Sequence, residues 1–186
     1  KKRKNIRQER AKTKDAGYCF RTLAGKTISD EDLQIMHGFY QRTFEEYGNA
    51  PALTLPFFQL LREILPQNLV LVMASRNGLT CAGALFLRST DTLYGRYWGS
   101  SESSPGLHFE TCYYQGIEYC IREGLTYFEP GAQGEHKVAR GFLPVMTHSR
   151  HWLSDPDFSK ALAPWCASET KAMREYATAI QATGPY

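Results

Sequence analysis

The sequence holds no CxxC pair, no HExxH and no GxSxG. It has no apolar run near the ~18 residues that a membrane-spanning helix needs. The longest such run, Leu69 to Ala74, is only strand-length. Its five cysteines, Cys19, Cys81, Cys112, Cys120 and Cys166, are odd in number and widely spread. A disulfide framework is therefore not what organises this chain, and a reducing compartment, the cytoplasm, is the expectation. A zinc site has no support either. His148 and His151 are three apart in a segment that reads as extended, which turns them to opposite faces. No serine nucleophile announces itself, and Cys112 and Cys120 fall on an apolar helix face as core thiols. No signal peptide is visible, and the chain opens without Met inside a basic run, so it reads as a piece of a longer protein.

What is present fits an ordinary globular domain. The chain has 186 residues, 42% hydrophobic and 22% charged. That composition excludes a disordered, collagen-like or coiled-coil chain. At about 150 residues per domain, the length allows one domain and an arm. Aromatics at 13% point to large packed or stacking surfaces.

Charge is uneven. Residues 1–14 carry eight basic side chains and one acid, a net +7, whereas the rest of the chain sums to −4. Residues 1–16 read as a basic helical arm or linker, and residues 17–186 as the domain. The arm suits either a solvated linking helix or contact with a polyanion such as tRNA.

Along the domain, Tyr18, Phe20 and Thr22 alternate as a first strand. Ser29 followed by Asp30, Glu31 and Asp32 is a helix start, and the helix runs to about Tyr47. Pro56 opens a second helix through Leu65. Leu69–Ser75 is a buried strand, Asn77-Gly78 a tight hairpin turn, and Leu79–Arg88 its antiparallel partner. Thr92–Trp98 is a third strand of this meander. After a Ser/Gly/Pro-rich loop, Leu107–Glu123 is a helix with Gly124 at its C-cap. Leu125–Glu129 is a strand and Gly131–Gly141 a polar segment of one or two helical turns. Pro144–Trp152 is extended and counts as a last strand. The final helix runs from Asp157 to Ile180, broken or restarted near Pro164. The fold class is α/β, with a central, mostly antiparallel sheet flanked by helices.

Two stretches carry a resemblance. One is Leu93-Tyr94-Gly95-Arg96-Tyr97-Trp98-Gly99, followed by Leu107-His108-Phe109-Glu110-Thr111-Cys112-Tyr113-Tyr114. The other runs from Phe128-Glu129-Pro130-Gly131-Ala132-Gln133-Gly134-Glu135-His136-Lys137 through Arg140-Gly141-Phe142-Leu143-Pro144 to His148-Ser149-Arg150-His151-Trp152. With the opening RKNIRQERAK, these resemble the C-terminal half of the bacterial FemAB-like family associated with peptidoglycan biosynthesis/recognition. The resemblance implies a GNAT-like acyltransferase fold, as the second half of a tandem protein. It implies an acyl- or aminoacyltransferase acting on an amine, for instance of a peptidoglycan-type precursor. The alternative is a non-catalytic recognition module for a glycan-peptide, tRNA or protein partner. The donor would be acetyl-CoA, another acyl-CoA or an aminoacyl-tRNA. CoA-dependent GNAT proteins carry Arg/Gln-x-x-Gly-x-Gly/Ala between the fourth strand and the next helix, whose N–H groups cradle the pyrophosphate. Here that place reads Gly99-Ser100-Ser101-Glu102-Ser103-Ser104-Pro105-Gly106-Leu107, which does not match, and Glu102 would repel phosphate.

The residues supply three candidate constellations. Tyr94, Arg96 and Trp98 are spaced to share one strand face, with an Arg between two aromatics able to stack and to offer a fork to a carboxylate or phosphate. Gly95 and Gly99 leave room for close backbone approach. His108 stands at a helix start as a substrate-binding group or a base, while Glu110 complements the helix dipole. The densest cluster spans Glu129, Gln133, Glu135, His136, Lys137 and Arg140. Transfer to an amine needs a base and a donor for the carbonyl oxygen. Glu129, Glu135 or His136 fits the first role. Gln133, Lys137 or a glycine N–H fits the second, with Arg140 as a further binding group. A salt-bridged loop that only braces the fold is the competing reading.

Overall fold

A computed structural model describes residues 2–131 and 134–182. They form two compact units, one from residue 3 to the loop after the last strand and the other from residue 134 onward.

The first unit opens with helix α1 (Lys2–Asp15) and strand β1 (Tyr18–Ala24). Helix α2 (Asp30–Glu46) follows, capped by Ser29. The Ser29 hydroxyl accepts from the Asp32 N–H at 3.1 Å, and the Asp32 carboxylate accepts from the Ser29 N–H at 3.0 Å, a reciprocal capping box. Helix α3 is Leu55–Ile64. Strands β2 (Leu69–Arg76) and β3 (Leu79–Arg88) form a hairpin, with Asn77 and Gly78 both at positive φ as the two-residue turn requires. Strand β4 (Thr92–Ser100) completes the meander. A helical crossover then runs through α4 (Leu107–Phe109), a π-helical turn (Glu110–Tyr114) and α5 (Gln115–Glu123) to strand β5 (Tyr127–Glu129).

The sheet order is β1-β2-β3-β4-β5, antiparallel except for the parallel β4–β5 pair. One face packs Leu71, Met73 and Leu85 against Leu33, Met36, Tyr40 and Phe58 of α2 and α3. On the other face Phe86 meets Phe128 (ring centroids 6.0 Å apart), and an added methyl at Gly116 of α5 would strike Phe128. Residues Leu69 to Ala74 are all buried, as expected of a strand covered on both faces.

Three expectations are corrected. Strand β5 begins at Tyr127 rather than Leu125, because the Leu125 N–H closes α5 on Cys120 while Thr126 and Tyr127 donate to the Asp91 carbonyl. Pro144–Trp152 joins no sheet, so the described residues hold five strands, not six. In the second unit, α6 is Glu135–Val138 and α7 is Pro156–Ala182, which runs through Pro164 unbroken. Pro164 removes one backbone hydrogen bond, but its Ala-rich flanks favour helix strongly enough to carry the turn. Asp155 caps α7, its carboxylate accepting from the N–H groups of Asp157 and Phe158. Among the described residues no helix is long and apolar enough to cross a membrane.

Candidate functional site

Strand β4 decides the geometry. Leu85 pairs with Tyr97, but the next residue, Phe86, pairs with Gly95, so Arg96 is the extra residue of a β-bulge. The bulge reverses the side-chain alternation. Tyr94 lies opposite Leu87 and Tyr97 opposite Leu85, on the α2/α3 face. Trp98 lies opposite Ala84 and packs on the other face with Leu107, Ala82 and Tyr18. The expectation that Tyr94, Arg96 and Trp98 share one face is therefore wrong. Arg96 stacks over Tyr94, at 5.6 Å. A sequence spacing of two cannot reveal a bulge, because the extra residue is visible only in the pairing register.

The two glycines of this strand do admit close neighbours. A Cβ at Gly99 would lie 2.2 Å from the Phe39 carbonyl oxygen of α2, and one at Gly95 would lie 3.4 Å from the Pro130 backbone. The approach at Gly99 brings the last turns of α2 beside the end of β4, where the Thr43 hydroxyl donates to the Trp98 carbonyl at 2.9 Å.

Between them opens a cleft of ≈ 340 Å³, walled by Arg42, Thr43 and Tyr47 on one side and by Trp98, Ser100–Ser104 and His108 on the other. Its size is at the small end of ligand pockets. Trp98 and His108, both expected to bind substrate, meet here edge to face with ring centroids 5.0 Å apart. Arg42 pairs along its helix with Glu46 (3.0 Å), and Tyr47 is 79% exposed at the rim. Arg42, Thr43 and Tyr47 were not legible as site residues. They end an amphipathic helix, and its contacts at Gly99 and at the Trp98 carbonyl turn that end toward β4.

The loop lining the cleft is held from behind. The Ser101 N–H donates to the Cys81 carbonyl at 2.8 Å, and the Glu102 N–H to the Ser100 hydroxyl at 3.1 Å. The Glu102 carboxylate accepts from the Tyr18 hydroxyl at 2.6 Å and pairs with Arg76, whose guanidinium stacks over Tyr18 at 5.0 Å. The Tyr18 hydrogen bond, with Cys81 and Arg76 nearby, holds the Glu102 carboxyl below its usual range. Burial, then the neighbouring Glu102, pushes the Cys81 thiol up to about 11. Glu102 thus anchors the loop rather than standing free in it.

Behind the cleft, Glu110 is 3% exposed in the π turn. Its carboxylate accepts from Arg10 Nη2 at 2.8 Å, Arg10 Nε at 3.1 Å and Gln115 Nε2 at 2.9 Å. Burial alone would lower the Arg10 pKa, but Glu110 and Glu118 outweigh it and raise it further. The arm is therefore docked onto the crossover, with Thr13 buried against it.

The remaining predicted residues fall in two places. Glu129 pairs with Tyr94 at the last rung of the β4–β5 ladder, so Tyr94, Arg96 and Glu129 gather where the two strands part. His136, Lys137 and Arg140 lie in and just after α6 of the second unit, where Arg140 Nη1 donates to the His136 carbonyl at 2.9 Å. Glu135 begins that helix. The His136 ring lies over Gly134, and partial desolvation there, with Lys137 and Arg140 close by, lowers its pKa below the usual histidine value. Gln133 lies outside the described residues.

Similar folds occur among solved structures. "A possible acetyltransferase" from Clostridium difficile 630 aligns with a TM-score of 0.53 at 10% identity, over 74% of this chain and 99% of that one. A GCN5-related N-acetyltransferase from Ralstonia eutropha JMP134 aligns with a TM-score of 0.53 at 18% identity, over 73% and 99%. The structure of L-PGS from Bacillus licheniformis aligns with a TM-score of 0.54 at 14% identity, over 70% of this chain and 41% of that one. This chain thus spans about two fifths of L-PGS. At such identities the likeness establishes the fold, which is GNAT-like. No curated protein matches the sequence. The FemAB-like family, described by peptidoglycan biosynthesis/recognition, matches residues 1–186 from end to end, and the chain belongs to that family.

Proposed function

We propose that this chain is an acyl- or aminoacyltransferase domain that acts on an amine, in the setting of a peptidoglycan-type precursor. The observation that carries the reading is the Trp98–His108 pair on the wall of a polar cleft at the far end of β4. In this reading the amine enters the cleft beside His108, which takes its proton. The nitrogen attacks the donor's carbonyl carbon, the acyl–oxygen or acyl–sulfur bond breaks, and the proton passes to the leaving group. Trp98 supplies an apolar wall. Strand β4 runs on to Ser100 after its pairing with β5 ends at Tyr94, and that edge is suited to an extended chain. Arg96 and Tyr94 would hold a carboxylate or phosphate of the acceptor there, near Glu129.

Glu129, Glu135 and His136 as alternative bases, and Gln133, Lys137 and Arg140 as binding groups, belong to the same proposal as a separately testable set. The exposed cations of α1, Lys4, Arg7, Lys12 and Lys14, suit contact with a polyanionic donor such as charged tRNA.

The test is transfer of a labelled aminoacyl or acetyl group to a peptidoglycan-precursor amine by the natural full-length protein. His108→Ala should lower kcat about 100-fold or more with an unchanged melting temperature. Full activity in His108→Ala and Trp98→Ala would discard this cleft. Activity lost instead in Glu129→Gln or His136→Ala would move the base to those residues. Binding of the precursor without turnover would make the chain a recognition module.

A further inference from the structure

The fold implies an acyl-CoA cofactor, and the residues at the place where its pyrophosphate would sit do not fit one. That place is the loop from β4 to α4. Three of its amides bond within the chain: Ser101 N–H on Cys81 O, Glu102 N–H on Ser100 Oγ, and Leu107 N–H on Ser104 O at 3.2 Å, and Pro105 has no N–H. The Arg76 cation beside this loop is committed to Glu102.

Helix α1 closes what remains. Thr13, 2% exposed, packs on Gly106 at the start of α4, and a Cβ added at Gly106 would lie 3.1 Å from Thr13 Oγ1 and 3.8 Å from the Glu9 carbonyl. The helix is fastened one turn before this contact. Arg10 clamps Glu110, and the Tyr114 hydroxyl donates to the Glu9 carboxylate at 2.5 Å. A pyrophosphate brought to this edge would meet Glu9, Glu102 and Glu110, each already satisfied by a partner on the protein.

We infer that the chain's own N-terminal basic helix fills the phosphate-binding edge of this fold, so that a donor gains no affinity here from a CoA pyrophosphate and reaches the cleft from the side of α2, past Arg42 and Tyr47. This goes further than the transferase reading and rests on it only for the word donor.

The test compares acetyl-CoA with acetyl-pantetheine, which carries the same acyl arm without the pyrophosphate, by calorimetric titration into the intact chain. The expected result is that neither binds up to about 1 mM, or that their affinities differ by less than about ten-fold. Tighter binding of acetyl-CoA by more than that factor overturns the inference. Tryptic cleavage after Lys12 reads the docking independently, and it should be at least about ten-fold slower in the wild type than in Arg10→Ala. Equal cleavage rates, or release of α1 on adding acetyl-CoA, would also overturn it. The inference can fail while His108→Ala still abolishes transfer, and it can hold while that variant is fully active, so the two readings are judged separately.

Discussion

Arg10 grips Glu110 across a hundred residues of sequence, with three guanidinium hydrogen bonds of 2.8 to 3.2 Å to a carboxylate that water barely reaches. A buried carboxylate stripped of its cation keeps its desolvation penalty. Arg10→Ala should therefore destabilise the first unit by about 2–3 kcal/mol, less than a fully buried pair would lose because Gln115 still donates to Glu110. Arg10→Lys should recover only part of this, since an ammonium cannot bridge both oxygens in one plane. Urea unfolding measures it, and a loss under about 0.5 kcal/mol would mean the clamp is a surface pair in effect.

Asp32 gives a pH dependence with a defined sign. Burial works against its charge, but the Ser29 hydroxyl and N–H and the Arg21 guanidinium hold its pKa below the ordinary 3.8. A carboxyl depressed in the folded state adds stability that is fully present above its unfolded pKa and is lost as pH falls through the folded value. Asp32→Asn should cost about 1–2 kcal/mol at pH 7, with the gap to wild type closing below about pH 4. Denaturation curves from pH 3 to 7 would reveal a constant gap if the charge is irrelevant.

Two glycines, one in the α2–β4 contact and one on the open side of α2, should respond oppositely. Gly99→Ala drives a methyl into the Phe39 backbone and should destabilise by about 3 kcal/mol or more, or displace α2 from the cleft. Gly38→Ala, on the exposed side of α2 with nothing within 4 Å, should stabilise by about 0.5–1 kcal/mol. Melting temperatures of the two variants suffice. A harmless Gly99→Ala would refute the close approach of α2.

The thiols should separate into two classes. Cys19 and Cys166 are exposed, while Cys81, Cys112 and Cys120 are buried. Burial pushes Cys81 and Cys120 up to about 11. At pH 8 only about 0.1% of each would be thiolate even if accessible. A disulfide-exchange reagent should titrate two thiols quickly and three only as the protein unfolds. Three fast thiols would show that one of the buried positions is open.

The cations of α1 can be probed without undocking it. The quadruple substitution Lys4→Ala, Arg7→Ala, Lys12→Ala, Lys14→Ala leaves Arg10 and Thr13 in place, whereas deleting residues 1–14 would also unpair Glu110. If these side chains contact a tRNA, the slope of log K against log salt should flatten by up to about 3. An unchanged slope would remove α1 from the interface.

Much of this fold could be read from local signals. The Ser29 cap with its acids, the Asn77-Gly78 turn and the β2–β3–β4 meander are short-range features set by backbone sterics and apolar period, and they appear where the residues place them. Of the candidate site, Trp98 and His108 were legible because an aromatic at a strand end and a histidine at a helix start mark themselves. Their neighbours Arg42, Thr43 and Tyr47 were not, since nothing at the end of α2 announces what packs on it.

The sequence by itself determined the element order through β5, the core strand Leu69 to Ala74, the loop that lacks a phosphate cradle and the family. The bulge at Arg96, which parts Tyr94 from Trp98, and the approach of α2 over Gly99 were decided only by tertiary packing. So was the docking of the basic arm, which local charge alone leaves between a solvated linker and a polyanion contact. Each depends on pairing register or on a partner tens of residues away, and a side chain's spacing to its own neighbours carries no information about either.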